Sequence, residues 1–144
     1  MRVQLDDGAF LPTRAYEADA GLDLYAKEDL TVWPGGGSGT FDTGVHIELP
    51  HGMYGKIESK SGLNVNHSIV CLGGVIDEGY TGSVVVKLYN FGIEPHAFKR
   101  GDKIAQLIVQ PCSHEAVELV TEIEKNTARG DNGFGSTDAG GAST

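Results

Sequence analysis

Asp77 closes the apolar run Gly73-Gly74-Val75-Ile76 and opens the stretch Glu78-Gly79-Tyr80-Thr81-Gly82, so a carboxylate and a phenol share one glycine-bounded turn. A carboxylate at a strand end can hold a water and take its proton, although Asp also starts turns through local hydrogen bonds alone. Three further clusters carry comparable residue types. Ala20-Gly21-Leu22-Asp23-Leu24 sets an acid inside an apolar run, which an outward-facing strand residue would also explain. Ser59-Lys60-Ser61-Gly62-Leu63 puts a cation and hydroxyls beside a glycine, the ingredients of a phosphate cradle and equally of an ordinary Ser-Gly turn. Lys99-Arg100-Gly101-Asp102-Lys103-Ile104-Ala105-Gln106-Leu107 places the amide of Gln106 in an otherwise apolar strand.

The C-terminal stretch differs in kind. From Asn126 to Thr144 the chain is Gly, Ala, Ser, Thr, Asn and Asp, with one cation, Arg129, and one aromatic, Phe134. Composition predicts a tail that is mobile when free, because it buries too little apolar surface to offset its ordering entropy. Its order suggests more. Arg129-Gly130-Asp131-Asn132-Gly133-Phe134-Gly135-Ser136-Thr137 combines a cation, spaced glycines, a flat ring and two hydroxyls, which would suit a flap closing on a nucleotide.

Strands must position these groups. Val45, Ile47 and Leu49 alternate with His46 and Glu48; Met53–Ile57 follows the turn Pro50-His51-Gly52; Ser83–Tyr89 is rich in Val and Tyr; Lys103–Gln110 puts Ala105, Leu107 and Val109 on one face. Period-two alternation with β-branched enrichment favours strands. The 21 glycines fall between short apolar runs, as turns of an all-β chain do. Glu115–Lys125 fits either a helix or, through Val117, Leu119 and Ile123, a strand. The expected fold is all-β, a jelly-roll-like barrel or sandwich. A core domain is expected over residues 1–125 and a mobile Gly-rich arm over 126–144.

Charge and cysteines set limits. A formal charge of −9 on 144 residues disfavours stable nucleic-acid binding. A polyphosphate ligand would then need local Lys/Arg side chains, backbone N–H groups and a divalent cation. No apolar run is long enough to span a bilayer. The N-terminus lacks the apolar core of a signal peptide, so a cytoplasmic location is expected, or a nucleus or organelle after leader removal. Cys71 and Cys112 are expected to be buried thiols, and no role is assigned to the five histidines.

The four clusters and the tail, in this order and spacing, resemble the five motifs of the trimeric dUTPase family. The match runs from Ala20 to about Thr137, with GVIDEGYTG (Gly74–Gly82), GDKIAQL (Gly101–Leu107) and RGDNGFGST (Arg129–Thr137) its longest signatures. The resemblance implies hydrolysis of dUTP to dUMP and pyrophosphate, with Mg²⁺ as cofactor, in a homotrimer whose three subunits share each site. Such an activity limits uracil in DNA and supplies dUMP for dTMP synthesis.

It further implies that Asp77 activates the attacking water. The hairpin between Gly74 and Val85, with Val75 and Ile76, would form the uracil pocket, and the Tyr80 ring would exclude a 2′-hydroxyl. Lys60, Ser61, Gly62 and Gln106 would meet phosphate. Asp23 would meet Mg²⁺ through water, since Mg²⁺ keeps several waters and takes other ligands from phosphates. Phe134 would cover the base, Arg129 the γ-phosphate, and Gly135, Ser136 and Thr137 would add contacts. Lys60 departs from the family's usual Arg, replacing a bidentate fork by a point charge. A dCTP deaminase on the same fold would instead release ammonia from dCTP, and a purely binding protein would release no pyrophosphate.

Overall fold

The apolar alternation becomes strands wherever both faces find a partner. The computed structural model describes residues 1–131, and among these eleven strands and one helix form. In chain order they are β1 (Arg2–Leu5), β2 (Leu22–Tyr25), β3 (Leu30–Val32), β4 (Gly37–Asp42), β5 (Val45–Glu48), β6 (Met53–Glu58), α1 (Ser61–His67), β7 (Ile69–Cys71), β8 (Val75–Ile76), β9 (Val85–Asn90), β10 (His96–Phe98) and β11 (Lys103–Pro111). The four runs expected as strands appear as β5, β6, β9 and β11.

All the strand pairs are antiparallel. One sheet has the order β2-β11-β6-β8 and another β4-β9-β7, with two ribbons, β1-β5 and β10-β3. This is the expected all-β jelly-roll-like architecture. Their inner faces meet in one core that includes Leu24, Val32, Ile69, Val86, Leu88, Phe98, Ile104 and Leu107, each 2% exposed or less. Burying each such Leu, Ile or Phe contributes about 1.5–3 kcal/mol over leaving it in water. Asn90, fully buried among them, donates to the carbonyls of Val32 (3.0 Å) and Glu94 (2.8 Å) and accepts from the Gly92 N–H, so its amide costs no unpaired polar group.

Four expectations are revised. Residues 61–67 form a helix, which the sequence, with Gly62 and two asparagines over seven residues, does not announce; it starts after extended Lys60 and stops at left-handed Ser68 (φ 55°). The Gly74–Val85 stretch is not a paired hairpin: β8 pairs with β6, while β9 pairs with β4 and β7. Cys112 is exposed and Cys71 half-buried; both thiols are free. Glu115–Lys125 is neither helix nor strand, because alternation marks a face but a strand also needs a hydrogen-bonding neighbour.

The chain divides into two units, Met1–His114 and the segment from Glu115 onward. Residues 115–125 fall in the second of these units. Within its described part, Gly130 N–H donates to Thr127 Oγ1 (3.0 Å) and Lys125 pairs with Asp131 (3.1 Å). Among the described residues no helix is long and apolar enough to cross a membrane.

Candidate active site

The Asp77 turn is built by glycines at fixed places. Gly74 has φ +99°, and a Cβ there would lie 2.7 Å from Ile57 Cβ. Its bare backbone lets the chain cross β6 closely enough for Gly74 C=O to accept from the Ile57 N–H at 2.7 Å. Strand β8 follows, with Ile76 buried and Val75 facing out. Asp77 C=O then accepts from the Tyr80 N–H (3.1 Å), and Gly79 at the third position has φ +86°, the pattern of a type II turn. The Tyr80 hydroxyl donates to the Ser83 carbonyl at 3.0 Å. Gly82 leaves room for that phenol; a Cβ there would lie 2.4 Å from its oxygen.

A cleft of about 350 Å³ opens here, lined by Gly74, Val75, Ile76, Asp77, Tyr80 and Val85. Its volume suits a nucleoside-sized ligand. The structure therefore brings together Gly74, Val75, Ile76, Tyr80 and Val85, five of the six residues that the resemblance assigns to base and sugar, with Asp77 beside them.

The turn is fastened to residues 42–52. Ser83 Oγ donates to Asp42, whose carboxyl is held below its usual range by that bond and by the Gly44 N–H. Thr43 N–H and Oγ1 both donate to Val84 C=O (3.1 and 2.7 Å), and Val84 N–H donates to Val45 C=O (2.8 Å). Glu78 accepts from Gly52 N–H (2.8 Å) and meets His51 Nδ1 (2.7 Å). His51, then Gly52, lowers the Glu78 pKa, and Glu78 raises that of His51. His46 Nδ1 lies 2.8 Å from the Thr81 carbonyl. The sequence assigned nothing to His46, His51 or Glu78; β5 alternation placed His46 off the core but said nothing of its neighbour.

A second cluster surrounds Asp23, which is 4% exposed. One carboxylate oxygen accepts from Lys60 and the other lies 2.6 Å from Lys103 Nζ. Burial pushes this carboxyl up, but the hydrogen bonds and charges of Lys103 and Lys60 outweigh it and hold the pKa below the carboxylate norm. Asp23 is paired in register with Gln106, whose Nε2 donates to Ser59 C=O at 3.0 Å. Gly21 makes room for that amide; a Cβ there would lie 2.4 Å from Gln106 Oε1. Ser61 and Gly62 occupy the first turn of α1, exposed, where backbone N–H groups lack intrahelical acceptors.

The two clusters are neighbours through β6. Ile57 touches Gly74, and Lys60 follows three residues later, about 10 Å of extended chain. Lys103 lies within the GDKIAQL stretch (Gly101–Leu107), where the resemblance assigns a role to Gln106 alone. Among the described residues no three His, Cys, Asp or Glu side chains group to hold a metal. The Asp23 carboxylate beside Lys60 and Lys103 is an acceptor suited to the waters of a metal carried on phosphates, since Mg²⁺ keeps several waters. Arg129 belongs to the second unit; Phe134, Gly135, Ser136 and Thr137 lie outside the described residues.

Comparison with known proteins adds the chemistry. A family model described as dUTPase matches residues 7–138. The chain is 41% identical to the deoxyuridine 5'-triphosphate nucleotidohydrolase of Eremothecium gossypii, covering 95% of this chain and 90% of that protein. It is 39% identical to the Saccharomyces cerevisiae protein of the same name, covering 95% and 93%. Among solved structures it resembles a Staphylococcus bacteriophage 80alpha dUTPase with dUPNHPP, at TM-score 0.87, 26% identity and 94% and 96% coverage. It also resembles a mutant dUTPase from phage phi11 of S. aureus, described for the coordination of a structural Mg(II) ion, at TM-score 0.79, 25% identity and 85% and 97% coverage.

Proposed function

The chain belongs to the dUTPase family, and on that premise we propose that it hydrolyses dUTP to dUMP and pyrophosphate in the cleft beside Asp77. The observation that carries this reading is the convergence of Gly74, Val75, Ile76, Asp77, Tyr80 and Val85 on one cavity of nucleoside size. Asp77 accepts a proton from a water whose oxygen attacks the α-phosphorus. The bond from that phosphorus to the α,β-bridging oxygen breaks, and pyrophosphate leaves. A carboxylate within hydrogen-bond reach of water can supply a general-base effect of about 10²–10⁴.

Base selection rests on backbone groups of 74–85. Uracil and cytosine present opposite donor–acceptor patterns there, and a mismatch leaves buried groups unpaired, which can discriminate by ~10⁴ or more. The Tyr80 ring, held by its bond to Ser83, packs on deoxyribose and leaves no room for a 2′-hydroxyl. A close fit at the base leaves none for a 5-methyl group.

Lys60, the N–H groups of Ser61 and Gly62, and Gln106 meet the phosphates. Mg²⁺, when bound, neutralises triphosphate charge that a −9 chain would otherwise repel. Asp23 is the residue that would meet its waters; because each Asp23 oxygen already holds a lysine, those waters would share the carboxylate with Lys60 and Lys103. Arg129, Phe134, Gly135, Ser136 and Thr137 close over the nucleotide as a lid.

The working unit is a homotrimer, each site drawing the Asp77 turn, the other central motifs and the tail from different subunits. Support comes from residues 115–125, where Val117 and Leu119 are almost wholly exposed and form no strand. Sedimentation checks this: a monomeric active enzyme would remove the shared site. Pyrophosphate release from dUTP, UTP, dTTP and dCTP, with and without Mg²⁺, tests the whole reading. Release from dUTP alone and only with Mg²⁺ is expected; no release from dUTP would overturn it.

A further inference from the structure

His46 lies on β5 opposite Gln4 of β1, with about a quarter of its side chain exposed. Its two ring nitrogens face two acceptors. Nδ1 is 2.8 Å from the Thr81 carbonyl oxygen, and Nε2 is 3.2 Å from Asp6 Oδ1. A neutral imidazole has one N–H and one lone pair, so either tautomer satisfies one acceptor and turns a lone pair on the other. The imidazolium alone donates to both. Asp42 of β4 adds further negative charge near the ring. Arg2 of β1 and Glu48 of β5 border the same groove but pair with each other.

Thr81 stands between Tyr80 and Gly82, on the turn that forms one wall of the cleft. His46 itself does not line that cleft. We propose that His46, in its doubly protonated form, is a positioning residue that fastens the Tyr80–Gly82 turn to the β1–β5 ribbon, so that losing its proton loosens the sugar side of the cleft. This rests on the assignment of that cleft to dUTP.

The sign follows from the surroundings. The Thr81 carbonyl raises the His46 pKa most; burial opposes it, and Asp6 and then Asp42 add to the rise, so the net direction is upward. The double contact is therefore complete below about pH 6.5, the free histidine value, and is lost as pH climbs through the raised value. Substrate binding should weaken over that interval through a group that never touches substrate.

The test compares wild type, His46→Gln and Asp6→Asn. Pyrophosphate release is followed across the histidine range with dUTP and Mg²⁺, and nitrogen NMR follows the His46 ring and the Tyr80–Gly82 amides in the substrate-free protein. Wild-type KM for dUTP should rise about three- to tenfold through the transition, the range of one net hydrogen bond, with kcat changing less. His46→Gln, which can donate an N–H but does not titrate, should lack that transition. Asp6→Asn should move it to lower pH. The ring should titrate above the free value, and the turn amides should share its midpoint in wild type only. The same KM rise in His46→Gln, or turn amides blind to the ring, would overturn the proposal. If no protein releases pyrophosphate, the enzymatic assignment fails instead, and the amide titration still decides the fastening.

Discussion

Lys103 Nζ stands 2.6 Å from Asp23 Oδ2, although the two residues come from different strands and Lys103 carries no signature of its own in the sequence. With Lys60 on the other oxygen, a nearly buried carboxylate is matched by two lysines that keep partial contact with solvent. One unit of negative charge thus orients two cations beside the phosphate-binding segment.

Replacing that carboxylate shows what it holds. Asp23→Asn keeps the shape but leaves two ammonium groups crowded, so stability should fall by about 1–3 kcal/mol; solvent at the lysines keeps the loss below that of a fully buried pair. Because the folded pKa is depressed, the stabilisation is present above the unfolded value near about 4 and is lost as pH falls through the folded value. Urea unfolding of both proteins should differ most at neutral pH and converge in acid.

Asp77→Asn separates binding from chemistry. The amide keeps the turn, since the bond to Tyr80 N–H comes from the Asp77 backbone, but cannot take a proton. Steady-state kinetics should show kcat down about 10²–10⁴ with KM for dUTP nearly unchanged. An unaltered kcat would remove Asp77 from its role.

Truncation before Arg129 addresses the lid. Loss of Arg129 and Phe134 should lower kcat by about a hundredfold or more, as expected for a cation that stabilises charge late in phosphoryl chemistry, with a smaller change in KM. Full kcat in the truncated protein would leave the tail without a catalytic part.

Two adjacent glycines give an internal control. Gly74→Ala meets Ile57 Cβ at 2.7 Å and a φ of +99°, and should cost about 2–4 kcal/mol in chemical unfolding. Gly73→Ala has φ +86° but open space around it, and should cost only about 1–2 kcal/mol of backbone strain. Equal losses would mean that close approach to β6 is unimportant.

Local information was sufficient for much of this molecule. Apolar alternation marked β5, β6, β9 and β11, because each residue's face depends only on its neighbours in the chain. Glycine-bounded turns marked Asp77 and Tyr80, and the residues that the family resemblance adds around them line one cleft. What could not be seen locally depended on register and pairing. A bulge between Lys103 and Ala105 in the pairing of β11 with β2 resets the alternation, so Lys103 joins Gln106 on the Asp23 side; a regular strand would send residues three apart to opposite faces. The strands flanking the Asp77 turn look like a hairpin in sequence but join different sheets, because closure of the core gives each a different neighbour. The ties from His46 to Thr81 and from Glu78 to Gly52 exist only because those sheets bring residues 42–52 against the turn. The sequence by itself determined which groups could do chemistry; the tertiary structure decided which of them meet, since pairing partners are chosen by burial across the whole core.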